Sequence, residues 1–297
     1  MESKRLPKFR RAAGVRNIDL TARDRGIIRF VHQHRFLHSS HIAALAGGSS
    51  HAILRRLQLL YHNGYLERPR CQIDYYHTGG SRRIAYGLAS KGAAMLRREG
   101  VTVRNDWSEK NRAVRRPFLE HALIISDFMV AIEISCRETA INFLSQTELK
   151  LRRLPRWRVK TDSGKRLAVI PDSMFALEYQ NQSSDRERAY FFVEADRGTM
   201  PVVRKNLSQT SFYRKLLAYE ATWKQEIHRK LFGFRRFRVL TVTTNATRLN
   251  TLLDACKSLK SGRGLFLFAD NSILQKPQDI FSHDWLNTSE KAARLLK

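Results

Sequence analysis

The chain of 297 residues carries 54 Lys and Arg against 27 Asp and Glu, a formal net charge of +27, and 42% of its residues are hydrophobic. This composition excludes a disordered basic tail, and the length suffices for two domains with separate cores. So large a basic excess calls for a polyanionic partner, and nucleic acid is the leading candidate because duplex phosphates neutralise many cations together. No apolar run approaches the ~18 residues of a membrane span, and the basic N-terminus lacks a signal-peptide core, so we expect a cytoplasmic protein with no membrane partner.

Residues 1–20 are rich in Lys and Arg and lack apolar periodicity, which predicts a basic flexible arm. Thr21 is a plausible N-cap for a first helix over Ala22–His34. A second helix is predicted over Ser40–Ala46, and Gly47-Gly48 forms the turn after it. Ser49 or Ser50 then caps a third helix that runs to about Asn63-Gly64.

The third helix has two contrasting faces. Ile53, Leu57 and Leu60 recur at helical spacing and should bury against the first two helices. The opposite face is polar and basic, and Arg or Gln on such a face can pair with guanine or adenine in the major groove. Taken alone, this face would be interpreted as an ordinary solvated one. The predicted DNA-binding residues on it are His51, Arg55, Gln58 and His62.

The segment after the third helix favours the DNA-binding interpretation. Short strands are predicted at Tyr65–Glu67, Gln72–His77 and Ile84–Leu88. The turn between the last two strands carries Arg82 and Arg83, so it is typical of a wing that contacts DNA. With a closing helix over Ser90–Gly100, residues 21–100 resemble a winged helix domain.

Residues 101–116 lose apolar periodicity and are predicted to be a linker, and residues 117–290 a second domain. The pattern of this domain predicts a mixed sheet flanked by helices, so the whole chain is expected to be α+β. The predicted helices are Phe118–Cys136, Ser208–Arg229 and Thr247–Leu259. The predicted strands are Ile141–Leu149, Leu167–Leu177, Ala189–Glu194, Phe237–Thr244 and Gly264–Ala269.

Three acidic residues stand out in the second domain. Glu194 and Asp196 are two apart in a predicted strand and so project from one face, and hairpin pairing would bring Asp172 beside Glu194. Adjacent carboxylates suit a hard divalent cation. The alternative, which spacing alone favours, is that these acids end strands and form ion pairs.

Cysteine and histidine spacing predicts neither a disulfide framework nor a zinc site. The three cysteines are far apart and form no CxxC pair, and the histidine cluster does not place three imidazoles on one helical face. The residues concerned are Cys71, Cys136 and Cys256, and His32, His34, His38 and His41.

Three motifs, Val169–Asp172, Glu194–Thr199 and Arg214–Tyr219, resemble those of the replication-relaxation family. The order of the predicted elements likewise resembles the restriction-endonuclease-like PD-(D/E)XK core. The resemblance covers most of the chain, from about Thr21 to Trp285. It implies an N-terminal winged helix-turn-helix joined to an α/β nuclease-like domain, and a role in the replication and relaxation of plasmid DNA.

If the metal ligands of the nuclease pattern are carried over by position, the resemblance implies that Asp172 and Glu194 bind Mg²⁺ or Mn²⁺. Asp196 departs from the nuclease pattern, which has a lysine there, although it remains a candidate third ligand. Lys215 is the candidate replacement for the missing lysine, and a salt bridge to the acids is its equal alternative. Weaker candidates for a further catalytic group are Lys205, His121 and Glu120.

Two functions remain open from the sequence. One is a DNA-binding protein of a plasmid or other mobile element that nicks DNA with a metal ion at Asp172, Glu194, Asp196 and Lys215. The other is a non-catalytic replication factor or transcription regulator with an inactive nuclease-like domain. Double-stranded DNA is the expected partner in both, and a homodimer or further replication or mobilisation proteins are left open.

Overall fold

The structure is a computed structural model that describes residues 6–74, 83–149, 151, 155–180, 186–275, 280–289 and 292–295. The chain divides into two compact units, Met1–Val130 and Ala131–Lys297. The division falls inside the helix that we expected to open the second domain. No helix in the described part of the chain is long and apolar enough to cross a bilayer.

The first unit is built from helices around a small antiparallel sheet. Its three strands lie in the order β1-β3-β2. The helices predicted for this unit form. Thr21 and Asp24 make a reciprocal capping box at the start of the first helix, and Gly64, with a φ of 81°, lies just after the end of the third. The elements are α1 (Ala22–His34), β1 (Phe36–His38), α2 (Ser39–Ala46), α3 (Ser50–His62), β2 (Leu66–Glu67), β3 (Ala85–Leu88), α4 (Ser90–Arg98), α5 (Trp107–Arg112) and α6 (Arg116–Arg137), the last of which continues into the second unit.

A strand was predicted over Gln72–His77, but Arg70–Gln72 form a 3-10 turn instead. The side-chain amide of Gln72 takes over the pairing that a strand would make with β3. Its Oε1 accepts from the Ala85 N–H at 2.7 Å, and its Nε2 donates to the Ala85 carbonyl at 3.0 Å. The rest of the predicted strand beyond Asp74, and the turn as far as Arg82, lie outside the described residues.

The predicted flexible arm is docked where the structure describes it. The Arg11 guanidinium donates to the carbonyls of Tyr61 and Leu66 and to the carboxylate of Glu67, at 3.0 to 3.1 Å. Arg68 donates to the carbonyl of Lys8 at 2.6 Å. These cations therefore tie the N-terminal segment to the end of α3 and to β2.

The predicted linker also contains structure. Helix α5 lies within it, and its buried Asn111 donates to the Leu88 carbonyl at 3.2 Å. The Trp107 ring stacks against the Arg35 guanidinium, 4.6 Å from ring centroid to Cζ. These contacts attach the segment to the first unit.

Helix α3 is fixed to α1 by a buried ion pair that the sequence did not reveal. Asp24 is fully buried, and Arg56 donates to its two oxygens at 2.7 and 2.6 Å. Thr21 bonds to the same carboxylate. The pair sets the position of α3, whose apolar face is buried at Ile53 and Leu57.

We predict that Arg56→Ala destabilises the first unit by about 3 kcal/mol, since it leaves the Asp24 carboxylate buried without its cation. The exposed neighbour provides the control, and Arg55→Ala should change stability by at most about 0.5 kcal/mol. Urea denaturation of both variants measures this. Equal losses would contradict the assignment of the ion pair.

The second unit confirms the α+β class and the mixed sheet. Its seven-stranded sheet has the order β12-β11-β10-β9-β8-β7-β4, with β8, β9 and β10 parallel and the other pairs antiparallel. A separate hairpin pairs β5 with β6. The elements are β4 (Asn142–Leu144), β5 (Trp157–Lys160), β6 (Arg166–Val169), β7 (Ser173–Gln180), β8 (Arg186–Ala195), α7 (Phe212–Lys224), α8 (Ile227–Phe232), β9 (Arg238–Thr243), α9 (Ala246–Lys257), β10 (Phe266–Asp270), β11 (Trp285–Leu286) and β12 (Ala292–Ala293).

The strand predicted over Leu167–Leu177 is in fact two strands, because the chain leaves β6 at Ile170 and enters β7 after Asp172. Pro171 lies at this break and cannot donate to a sheet ladder. The break turns the chain from the hairpin into the main sheet and leaves Asp172 at the start of β7.

An aromatic core holds α7 against the sheet and the hairpin. The Tyr219 ring packs on Phe192 of β8 and on Trp157 of β5, with ring centroids 5.8 and 6.3 Å apart. Trp157 also donates its indole N–H to the Thr222 hydroxyl at 2.8 Å. This packing fixes which α7 side chains face the end of β8.

Candidate nucleic-acid interface and carboxylate cluster

Two of the predicted acidic residues meet where β7 begins beside the end of β8. The register pairs Ser173 with Val193, so the preceding residue, Asp172, lies beside Glu194 as the hairpin argument predicts. The Asp172 N–H donates to the Val193 carbonyl, and Asp172 Oδ2 accepts from the Ala195 N–H at 2.9 Å. The backbone thus fixes the Asp172 carboxylate beside β8.

The Glu194 carboxylate is buried, with 2% of the residue exposed. Its two oxygens are both engaged by α7, since Oε2 accepts from Lys215 Nζ at 2.5 Å and Oε1 from the Tyr219 hydroxyl at 2.7 Å. Burial raises the pKa of Glu194 to about 7, although the Lys215 ammonium opposes the shift.

Lys215 lies between the two carboxylates. Its Nζ is 3.9 Å from Asp172 Oδ2, and 31% of its side chain is exposed. Burial disfavours its charge, but Glu194 and Asp172 outweigh that effect and raise the pKa of Lys215. The lysine therefore keeps its proton through the neutral range, and it reaches the space predicted for it.

Asp196 takes a different partner. Arg248 of α9 donates to both of its oxygens, at 2.7 and 3.0 Å, and the Thr243 hydroxyl donates to Oδ2 at 2.8 Å. Asn245 caps the same helix by accepting from the Arg248 N–H. The negative charge of Asp196 still helps to raise the pKa of Lys215, but both Asp196 oxygens accept hydrogen bonds from Arg248. Arg248, Thr243 and Tyr219 are site residues that sequence reasoning missed.

The three acids as they lie do not fit a divalent cation. Glu194 has both oxygens occupied, Asp196 is held by Arg248, and an ammonium stands between Glu194 and Asp172. Within the described ranges, no group of three or more His, Cys, Asp or Glu is arranged to hold a metal ion.

The weaker sequence candidates lie elsewhere in the chain. Lys205 is exposed on the loop before α7. Glu120 and His121 belong to α6 in the first unit, where Glu120 pairs with Arg116 at 2.9 Å. In the histidine cluster, His41 pairs with Asp127 at 2.7 Å.

The polar face of α3 forms as predicted over most of its length. His51 and Arg55 are exposed and Gln58 is half-buried. His62 departs from the prediction, because it is buried and its Nδ1 accepts from the Ala12 N–H at 3.1 Å. Leu54, 46% exposed, lies on the outer face between these polar residues.

The predicted wing is described only in part. Arg83 is exposed just before β3, and Arg82 lies outside the described residues. Strands β2 and β3 are neighbours in the sheet, and Arg83 lies at the described end of the connection that enters β3.

The fold and these two sites define an α+β protein with a basic, exposed helix in one unit and a cation-paired carboxylate cluster in the other. The family model of replication-relaxation proteins matches residues 28–234, well over half of the chain. The chain therefore belongs to the replication-relaxation family, and this membership indicates a role in the replication or relaxation of a plasmid or other mobile element. No curated protein and no solved structure matches the chain at a significant level.

We predict that stability falls as pH rises from about 5 to about 8 through the titration of Glu194. The folded-state pKa is raised, so the folded protein binds more protons than the unfolded chain across this window, and raising the pH favours unfolding. Glu194→Gln should remove this part of the decline. Urea denaturation at several pH values tests it, and an unchanged decline in the variant would assign the pH dependence to other groups.

Proposed function

We propose that this protein binds duplex DNA through α3 and the β2–β3 connection of its first unit, in the replication or relaxation of a plasmid or other mobile element. The observation that carries the proposal is the arrangement of α3. One side is buried at Ile53, Leu57 and Leu60, and the other exposes Arg55 and His51 to solvent. An arginine on an exposed helix can pair bidentately with guanine in the major groove.

The surrounding elements support the same function. The order α1-β1-α2-α3-β2-β3, with β3 between β1 and β2, is the order expected for a winged helix domain. In such a domain the third helix enters the major groove and the wing contacts the adjacent backbone. The net charge of +27 supplies the attraction to phosphate.

We expect Arg55→Ala to weaken binding to a selected duplex by about 1–3 kcal/mol, because a bidentate base contact is lost. Binding to unrelated duplexes should weaken much less. Fluorescence anisotropy with oligonucleotides enriched from a random duplex pool measures both. Arg98→Ala, which removes an exposed charge from α4, is the matched control and should leave the discrimination between duplexes intact.

Arg83→Ala should instead weaken binding to all duplexes alike and lower the slope of log affinity against log salt by about 1, as expected for one lost phosphate contact. A salt series in the same assay tests this. Unchanged affinity and slope in an Arg55→Ala, Arg83→Ala double variant would refute the proposed interface.

For the second unit, the geometry supports the non-catalytic alternative over metal-dependent nicking. Each buried carboxylate of the cluster already has a cation from the chain, Lys215 for Glu194 and Arg248 for Asp196. Each oxygen of Glu194 already accepts a hydrogen bond from α7, and the Lys215 ammonium lies on the side that faces Asp172.

The proposal therefore predicts that supercoiled plasmid stays intact when incubated with the purified protein and millimolar Mg²⁺ or Mn²⁺. Agarose gel electrophoresis distinguishes supercoiled from nicked plasmid. Asp172→Asn protein, purified in parallel, controls for contaminating nuclease. Metal-dependent nicking by the natural protein that Asp172→Asn abolishes would assign catalysis to the cluster instead.

A further inference from the structure

We infer that the β5–β6 hairpin of the second unit is a further DNA-contact surface, which binds the phosphate backbone of a duplex without reading its sequence. The inference rests on the proposed function in one respect, that duplex DNA is the partner. The hairpin forms a two-stranded sheet of its own, separate from the seven-stranded one. Its exposed cations, which we call the basic face, are Arg156, Arg158, Lys160, Lys165 and Arg166.

Strand alternation gives the hairpin two contrasting faces. Arg158 and Lys160 of β5 and Arg166 of β6 are exposed, and each is followed or preceded by a buried apolar residue. The buried residues, which belong to the core of the second unit, are Trp157, Val159, Leu167 and Val169. The cations therefore project from the side of the hairpin that faces away from this core.

The charge of the basic face is not balanced within the hairpin. Asp162 is the only acid between residues 155 and 170, and it pairs with Lys224 of α7 at 2.8 Å. None of the five cations forms an ion pair with an acid among the residues that the structure describes. Lys160 and Arg166 are direct cross-strand partners, and like charges at such positions repel each other. Phosphates placed along this face would relieve the repulsion.

Helix α7 holds the hairpin in place from behind. The Trp157 indole N–H donates to the Thr222 hydroxyl at 2.8 Å, and Gln225 Nε2 donates to the Lys160 carbonyl at 2.5 Å. The backbone that carries the cations is therefore positioned before DNA binds. Such preorganisation reduces the entropy that is lost on binding.

The side chains of the hairpin favour a duplex over a single strand. Proteins that bind single strands stack the bases on exposed aromatic side chains. Trp157 is the only aromatic residue between residues 155 and 170, and it is buried. The exposed apolar residues of β6 and its end are Ala168 and Ile170, which offer no ring for stacking. The basic face can therefore neutralise phosphates, and a duplex presents these at the higher density.

The experiment compares the natural full-length chain with two variants that each lose three exposed positive charges from the second unit. The hairpin variant carries Arg158→Gln, Lys160→Gln and Arg166→Gln. The control variant, changed in α8 and in the loop before β9, carries Lys230→Gln, Arg235→Gln and Arg236→Gln. Fluorescence anisotropy over a salt series measures binding to a duplex of random sequence and to a single strand of the same length. Thermal unfolding checks that each variant is folded.

We expect the hairpin variant to bind the duplex about tenfold or more weakly than the natural chain at moderate salt. The slope of log affinity against log salt should shrink by about 2 to 3, as for three lost phosphate contacts. The control variant should lose much less of both, and affinity for the single strand should fall less than affinity for the duplex. The Tm of the hairpin variant should not fall, because the repulsion between Lys160 and Arg166 is removed.

The inference is overturned if the hairpin variant keeps the natural affinity and slope, if the control variant loses as much, or if the single strand is affected more than the duplex. Failure of the proposed interface on α3 would look different. The Arg55→Ala, Arg83→Ala variant would then bind as the natural chain does, while the hairpin variant would still lose its share of the slope.

A footprint of the natural chain provides a test that needs no variant and so does not depend on whether the hairpin variant folds. Lysines are acetylated with and without the duplex, and the modified positions are measured by mass spectrometry. The duplex should protect Lys160 and Lys165 more strongly than Lys230. Equal protection of the three lysines would overturn the inference.

Discussion

A buried carboxylate needs a cation or several donors beside it, and three of the buried acids of this chain each hold a helix in place through a basic partner. Asp24 binds Arg56, Glu194 binds Lys215, and Asp196 binds Arg248. In each pair the basic residue lies on a helix. The cations thereby fix α3 in the first unit, and α7 and α9 in the second. The chain has twice as many basic as acidic residues, and these pairs give a structural role to three of its cations.

Much of the fold could be predicted from the sequence, because helix signals are local. The cap at Thr21 and the apolar spacing in α3 are signals that involve only residues close in sequence. Helices α1 and α3 form as predicted. The errors have two causes. Strand β1 was not predicted because it has only three residues and is stabilised by pairing with the distant β3. The break between β6 and β7 lies at Pro171, a local signal that the prediction of a single strand did not use.

In the candidate sites, too, contacts that follow from strand and helix spacing could be predicted, and contacts between distant parts of the chain could not. Strand alternation and hairpin pairing place Asp172 beside Glu194, and the spacing along α7 brings Lys215 to them. The partner of Asp196 could not be foreseen, because Arg248 lies 52 residues further along the chain. His62 has the spacing of the polar face, but the docked N-terminal segment covers it at Ala12.

Adjacent arginines in α3 perform opposite tasks. Arg56 turns inward to Asp24, and Arg55 points to solvent. A substitution at position 55 therefore changes the exposed surface of α3 and leaves the ion pair that holds the helix in place. If the proposed DNA-binding function holds, substitutions at His51 and Arg55 would change the surface that faces DNA, while the pair of Arg56 with Asp24 would keep the orientation of the helix.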